Sequence, residues 1–283
     1  MSFAAATLVQ PSLHRLPLVR TIHNAVIWRF SPWLGRLVDR QIAQAHVAGV
    51  SDDAVDAFLA LRASSGAANP NQPPVTIYNG VRFEPMARAT PSNPSVIRMV
   101  YGGRFEPEKG TDLLPEIVRL TQLPAGVRAS LTIYGSGRHE LALRSLEQHA
   151  PAGWTVEIRP PIPQFSAELG SFDLMLVPSR HEGLALVAIE GLLAGIQVVA
   201  TDAPGLREAL PASHPWRARA GDAVSFAAAL QFACGNRERW PAISAFGRAF
   251  ARRCFDPVLM AQGYRNLYAR ALATAKTPFN RER

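Results

Sequence analysis

Short apolar runs alternate along the chain with segments of helical period, and glycine turns separate the two. Beyond residue 95 the pattern predicts strands at Val96 to Tyr101, Ser130 to Tyr134, Thr155 to Ile158, Phe172 to Val177 and Gln197 to Thr201. Between and after them it predicts helices near Thr111 to Leu120, His139 to His149, Leu184 to Ala194, Ala223 to Cys234 and Arg239 to Arg252. Strand-helix alternation of this kind is the mark of crossover units in a parallel sheet. The expected fold class is therefore α/β with a doubly wound parallel sheet, which takes its ligands at the carboxyl ends of the strands.

The front of the chain repeats the pattern with fewer units. Strands are expected at Leu18 to Ile22, His46 to Val50 and Val75 to Tyr78, with helices near Pro32 to Gln44 and Asp52 to Leu61. A strand-helix unit takes roughly 25 residues, so a six-unit domain needs about 150, and this part holds about half of that. It reads as the tail end of a domain, truncated at its front, with an unpaired sheet edge and uncovered apolar surface. Two stretches rich in Pro, Ser, Asn and Ala, Ala63 to Pro74 and Pro85 to Ser95, read as loops, and the second marks a boundary. The expected domains are residues 1–90, 91–255 and a terminal segment 256–283, in which Met260, Tyr264, Leu267, Tyr268 and Ala271 recur at helical spacing.

Composition narrows the class. At 283 residues and 48% hydrophobic the chain can bury sizeable cores. No apolar run reaches the roughly 20 residues of a membrane span. The longest, Leu184 to Ile196, carries Glu190. The N-terminus lacks the pattern of a secretory signal, and Cys234 and Cys254 form neither a disulfide framework nor a zinc set, so a cytoplasmic setting is expected. The formal charge of +8 suits phosphorylated small molecules, anionic lipid or nucleic acid. Consecutive bases and aromatic-basic RNA signatures are missing, which argues against nucleic acid. Only Lys109 and Lys276 among the 30 basic residues are lysines, so a retained lysine draws notice.

Three segments carry candidate chemistry. In Pro178 to Glu190, Glu182 stands at a helix entrance and Glu190 eight residues on. Eight helical residues rise about 12 Å, more than the roughly 5 to 9.5 Å of a hydrolytic carboxylate pair. The two acids suit instead the two ends of an elongated ligand whose anionic middle rests on the amides of Gly183, Leu184 and Ala185. The plainer alternatives are an acid complementing the helix dipole at Glu182 and a structural salt bridge at Glu190, since a buried carboxylate must be paired or hydrogen-bonded. In Gly102 to Gly110, glycines such as Gly103 allow close backbone approach, and Arg104 and Lys109 can neutralise a diphosphate. Two solvated surface bases are the alternative. No Asp-x-Asp pair offers to hold a metal, and these cations would take its place. Ile133 to Glu140, with Gly135 and Gly137, half matches a dinucleotide fingerprint but has Glu140 where the third glycine belongs.

Together these segments resemble the retaining glycosyltransferases of family 4, the group 1 transferases with two facing Rossmann-like domains, the GT-B fold. The matching blocks are Thr21 to Asn24, Ile77 to Val81, Gly103 to Gly110, Ile133 to Gly137, and Glu182 to Glu190 followed by Gly195 to Thr201. The resemblance implies a metal-independent, cofactor-free transfer of a sugar from a nucleotide diphosphate sugar to an acceptor hydroxyl on a carbohydrate or a lipid-linked molecule. It implies that Glu190 binds the ribose, that Arg104, Lys109 and the amides after Gly183 bind the diphosphate, with Gly103 and Gly135 in the turns beside them, and that Glu182 and His23 meet the reacting sugar. For His23 a strand-end histidine bonded to a loop is the alternative. The terminal helix is expected to return to the front domain. Gln197 stands where the family has proline, and Ala185 where it often has glycine. A truncated, catalytically silent binder of nucleotide sugars is the competing function. Trp28 to Leu37, which mixes bases with large aromatics, is either a packing helix or a contact with an anionic inner-membrane surface.

Overall fold

The computed structural model describes residues 17–24, 33, 35, 44–65, 72–83 and 95–276. Most of the expected helix at Pro32 to Gln44 and of the aromatic-basic segment around it, most of the Pro85 to Ser95 linker and the tail after Lys276 lie outside the described residues. In chain order the regular elements are β1 (Val19–Ile22), β2 (His46–Gly49), α1 (Asp52–Ser65), β3 (Val75–Thr76), β4 (Val96–Gly102), α2 (Leu114–Leu120), β5 (Arg128–Tyr134) and α3 (Glu140–Gln148). There follow β6 (Trp154–Arg159), α4 (Phe165–Glu168), β7 (Leu174–Val177), α5 (Leu186–Ala194), β8 (Gln197–Thr201), β9 (Arg217–Ala218), α6 (Ala223–Gly235), α7 (Trp240–Cys254) and α8 (Pro257–Lys276). The chain divides into two compact units, Met1–Gly80 with Pro257–Arg283, and Val81–Asp256.

In the first unit β1, β2 and β3 form a parallel sheet in that order. Successive side chains of β2 point to opposite faces. Val47 packs with Ile22, Ala54 and Phe58 on the α1 side. Ala48 packs with Ile77 and Leu267 on the other side, where α8 lies. The apolar surface expected to be bare on this sheet is covered by α8, and Thr21 Oγ1 and Tyr264 OH are 3.2 Å apart across that contact. Helix α1 starts where Ser51 caps it, its Oγ accepting from the Ala54 amide at 3.1 Å, with Asp52 and Asp53 in the first turn.

The second unit is a parallel sheet in the order β6-β5-β4-β7-β8-β9. Its central strand β7, Leu-Met-Leu-Val, is buried at every position, as a strand covered on both faces must be. The edge strand β6 alternates, burying Trp154, Val156 and Ile158 and exposing Thr155, Glu157 and Arg159. The structure shifts several expected bounds and adds one strand. The helix expected from Thr111 opens as a single 3-10 turn, Thr111–Leu113, before α2. The Phe172 amide turns back to the Leu169 carbonyl at 3.1 Å, so β7 starts only at Leu174. The Leu186 amide turns back to Leu184 at 2.9 Å, which delays α5 by a half turn. Strand β3 is shorter than expected. Strand β9, two residues long, had no periodicity to reveal it. Gly195, at φ 74°, closes α5 in a left-handed cap. Among the described residues no helix is long and apolar enough to cross a membrane.

Candidate functional site

Strands β4 and β7 are neighbours, but the chain goes from β4 outward to β5 and β6 before returning on the other side at β7. That reversal makes a topological switch point, where the chain leaves two adjacent strand ends in opposite directions, the place at which sheets of this kind take their ligands in a crevice. The loop after β4 carries Arg104 and Lys109, and the loop after β7 carries Ser179 to Ala185. A surface cavity of about 450 Å³, lined by Leu123, Pro124, Ala228 and Phe232 among others, lies instead beside the ends of α2 and α6.

Lys109 and Glu182, far apart in the chain, meet across the crevice. Lys109 Nζ donates to both carboxylate oxygens of Glu182 at 2.7 Å. Ser179 Oγ adds a third bond to Glu182 Oε1 at 2.8 Å, and the Ser179 carbonyl accepts from Thr201 Oγ1 at 2.5 Å. The Glu182 side chain is 9% exposed and that of Lys109 24%. The pair is held by its backbone. Gly110 sits at φ 66°, and a Cβ there would run into the Pro178 carbonyl, so only glycine lets the two loops approach this closely. The Arg180 amide donates to the Glu108 carbonyl at 2.8 Å, tying the β7 loop to the β4 loop.

Arg104 lies on the same loop but points outward. Its guanidinium pairs with Glu108 at 2.9 Å and its side chain is 68% exposed. The Glu108 carboxyl lies below the usual range, held there by its own backbone amide and by Arg104. Gly103 and Gly135 are where the β4 and β5 loops touch. The Gly103 amide donates to Tyr134 at 3.0 Å, and a Cβ on Gly135 would run into the Gly103 carbonyl.

One expectation about the helix entrance needs correction, and one alternative reading is not met. Of the three amides expected to be free, that of Ala185 donates to the Gly205 carbonyl at 3.3 Å, because the loop after β8 folds back over Glu182 and Gly183. The amides of Gly183 and Leu184 have no acceptor among the described residues. For Glu190, one turn into α5, the alternative was a structural salt bridge. Glu190 is half-buried, and among the described residues its carboxylate has neither a hydrogen bond nor an ion pair. Burial pushes its pKa above the ordinary carboxylate value. His23 follows β1 in the first unit and is exposed.

Several residues around the site were not singled out by the sequence. Arg180 grips Asp112 through both carboxylate oxygens, at 2.6 and 2.8 Å, and the Pro107 carbonyl at 2.6 Å. The contact lowers the Asp112 pKa. Tyr101, buried under the crevice, donates its hydroxyl to the Arg104 carbonyl at 3.1 Å, and burial together with the charge of Glu182 raises its pKa. Gln197, noted only as a departure from proline, is a buried junction. Its Nε2 donates to Ser244 Oγ at 2.6 Å and to the Trp240 carbonyl at 3.1 Å, and its Oε1 accepts from Trp216 Nε1 at 2.9 Å. Apart from that of Tyr101, these contacts join residues distant in the chain, which no local pattern encodes.

Residues 97–236 match the family described as Glycosyl transferases group 1. The chain is 32% identical over 123 residues to a D-inositol 3-phosphate glycosyltransferase of Pseudarthrobacter chlorophenolicus, a match covering 42% of this chain and 29% of that one. It is 27% identical over 205 residues to a glycogen synthase of Mycobacterium tuberculosis, covering 69% of this chain and 49% of that one. The matched stretch thus spans less than half the length of these curated relatives. Among solved structures, Anabaena HepE in complex with UDP superposes with a TM-score of 0.73 at 20% identity, covering 96% of this chain and 75% of that one. Sucrose-phosphate synthase from Thermosynechococcus elongatus gives 0.74 at 20% identity, with 96% and 72% covered. These likenesses show an α/β fold of the GT-B type.

Proposed function

We propose, for a chain whose residues 97–236 match the group 1 glycosyl transferases, that it takes a nucleotide diphosphate sugar in the crevice between the β4 and β7 loops and passes the sugar to an acceptor hydroxyl. The observation that carries this reading is the meeting of Lys109 and Glu182 at the switch point, beside two amides that lack acceptors among the described residues. The diphosphate rests on Lys109 and on the Gly183 and Leu184 amides, where aligned N–H groups and a cation favour an anion. Arg104 joins them by turning from Glu108, since an exposed ion pair of that kind is worth about 0 to 1 kcal/mol and yields to a phosphate gripped by two N–H bonds. Glu190, whose carboxylate lacks a partner among the described residues, accepts from the vicinal hydroxyls of the ribose. That assignment gives its burial a purpose, because an unpaired half-buried carboxylate costs stability until a donor fills it.

In this reading Glu182 stands at the sugar end of the ligand. Its carboxylate is already engaged by Lys109 and Ser179, and we assign it no role as a nucleophile. The transfer we propose retains the anomeric configuration. The acceptor attacks from the side the leaving diphosphate departs, and a diphosphate oxygen takes the acceptor proton as the sugar-phosphate bond breaks. Lys109 and the two amides stabilise the charge that builds on the leaving group, the part a metal plays elsewhere. The acceptor is a carbohydrate or a lipid-linked hydroxyl. A label-transfer and donor-hydrolysis assay over uridine, guanosine and adenosine diphosphate sugars tests the proposal. Turnover with a product of retained anomeric configuration supports it, and binding without turnover assigns the chain to a silent donor-binding role.

A further inference from the structure

We infer that Glu182 sets the preference between donor and product: as counter-ion of Lys109 it disfavours a bare nucleoside diphosphate relative to its sugar ester, and so favours exchange of one for the other. The inference rests on the donor-site reading above. Lys109 is a shared cation before any ligand arrives, with both Glu182 oxygens at 2.7 Å. Ser179 fixes the carboxylate at 2.8 Å and leaves it 9% exposed, so it cannot swing out to solvent without giving up that bond. Among the described residues no other cation bonds to Glu182. A phosphate that reaches Lys109 Nζ therefore comes to rest beside Glu182. With contacts of about 2.8 Å on either side of one nitrogen, the two anionic oxygens lie at most about 5.6 Å apart.

The sugar ester and the free diphosphate differ in charge at that place. The diphosphate of a nucleotide sugar is a diester with one charge on each phosphate. Once the sugar leaves, the terminal phosphate becomes a monoester and gains most of a further charge near neutral pH, its second pKa being about 6. The added charge sits on the phosphate that carried the sugar, at the end of the ligand assigned to Glu182. Repulsion between like charges at such a distance in a partly buried site exceeds a factor of ten, and solvent reaching Lys109 reduces it to about tenfold. The ester, with one charge on that phosphate and neutral hydroxyls toward Glu182, escapes the added part of it.

The test is calorimetric titration of the full chain with matched pairs, UDP and UDP-glucose, GDP and GDP-mannose, ADP and ADP-glucose, and then of Glu182→Gln with the pair that binds. Glu182→Gln should tighten the nucleoside diphosphate about tenfold relative to the sugar ester, an effect that shrinks as salt is raised. Ser179→Ala, which keeps the charge and leaves Glu182 held by Lys109 alone, should move the ratio in the same direction but by less than Glu182→Gln. Parallel weakening of both ligands by Glu182→Gln, an unchanged ratio, or an equal change in Ser179→Ala would overturn the inference while leaving the donor site in place. Failure of every pair to bind the unmodified chain, or unchanged binding in Lys109→Met, would remove the donor-site reading and this inference with it.

Discussion

Replacing Glu190 by Gln should make the empty protein more stable and the loaded protein weaker. The Glu190 carboxylate is half-buried, has no partner among the described residues, and has its pKa raised by burial alone. A raised carboxylate pKa means that the folded state resists ionisation. The cost is absent below the unfolded value of about 4.3, where the group is protonated in both states, and grows as pH rises through the folded value. An unsatisfied buried polar group costs about 1 to 3 kcal/mol, and partial exposure places Glu190 near about 1 kcal/mol. For a protein of this size that corresponds to a rise in Tm of about 2 °C at pH 7. Thermal unfolding of the two proteins at pH 7 and at pH 4 reads it, and every other titrating group cancels in the difference. The Gln variant should melt higher at pH 7 and together with the parent at pH 4, while binding a nucleotide sugar at least tenfold more weakly through loss of charged hydrogen bonds to the ribose. A lower Tm at pH 7 would show that the carboxylate has a stabilising partner. An equal shift at both pH values would show that charge is not the cause.

Two further outcomes follow from the packing of the second unit. Gln197→Leu leaves Trp216 Nε1, Ser244 Oγ and the Trp240 carbonyl without the buried amide that joins them. It should cost about 3 kcal/mol in a urea titration with the slope unchanged. His214 is buried, with its Nε2 at 2.6 Å from the Val198 carbonyl, and its pKa is lowered to about 4 by burial first and by Arg217 beside it. Because that value is depressed, the stability it allows is complete above about 6.5 and falls by about 3 kcal/mol as pH drops to about 4, a slope that His214→Gln should abolish.

The sheet of the second unit is legible in the sequence because its central strands are buried on both faces and read as continuous apolar runs, Leu174 to Val177 above all. The site is legible where a residue type is unusual for its setting: a lysine in an arginine-rich chain at Lys109, and an acid inside an apolar helix at Glu190. What escaped depends on pairs distant in the chain. Ser179 is an ordinary residue until Glu182 and Thr201 place it between them, and the grip of Arg180 on Asp112 joins two separate loops. The Ala185 amide looked free because helix entrances leave amides free. Gly205, in a left-handed turn at φ 71°, nonetheless brings its carbonyl to it. Strand β9 escaped because so short a segment carries no period.

Every role assigned to the crevice depends on a diphosphate held there by Lys109. Titration of Lys109→Met with a nucleoside diphosphate, its sugar ester and the bare nucleoside measures this directly. Both diphosphate ligands should lose affinity by at least tenfold, and the nucleoside should bind as it does to the parent chain. Unchanged affinity for the diphosphate ligands, or an equal loss for the nucleoside, would contradict the assignment.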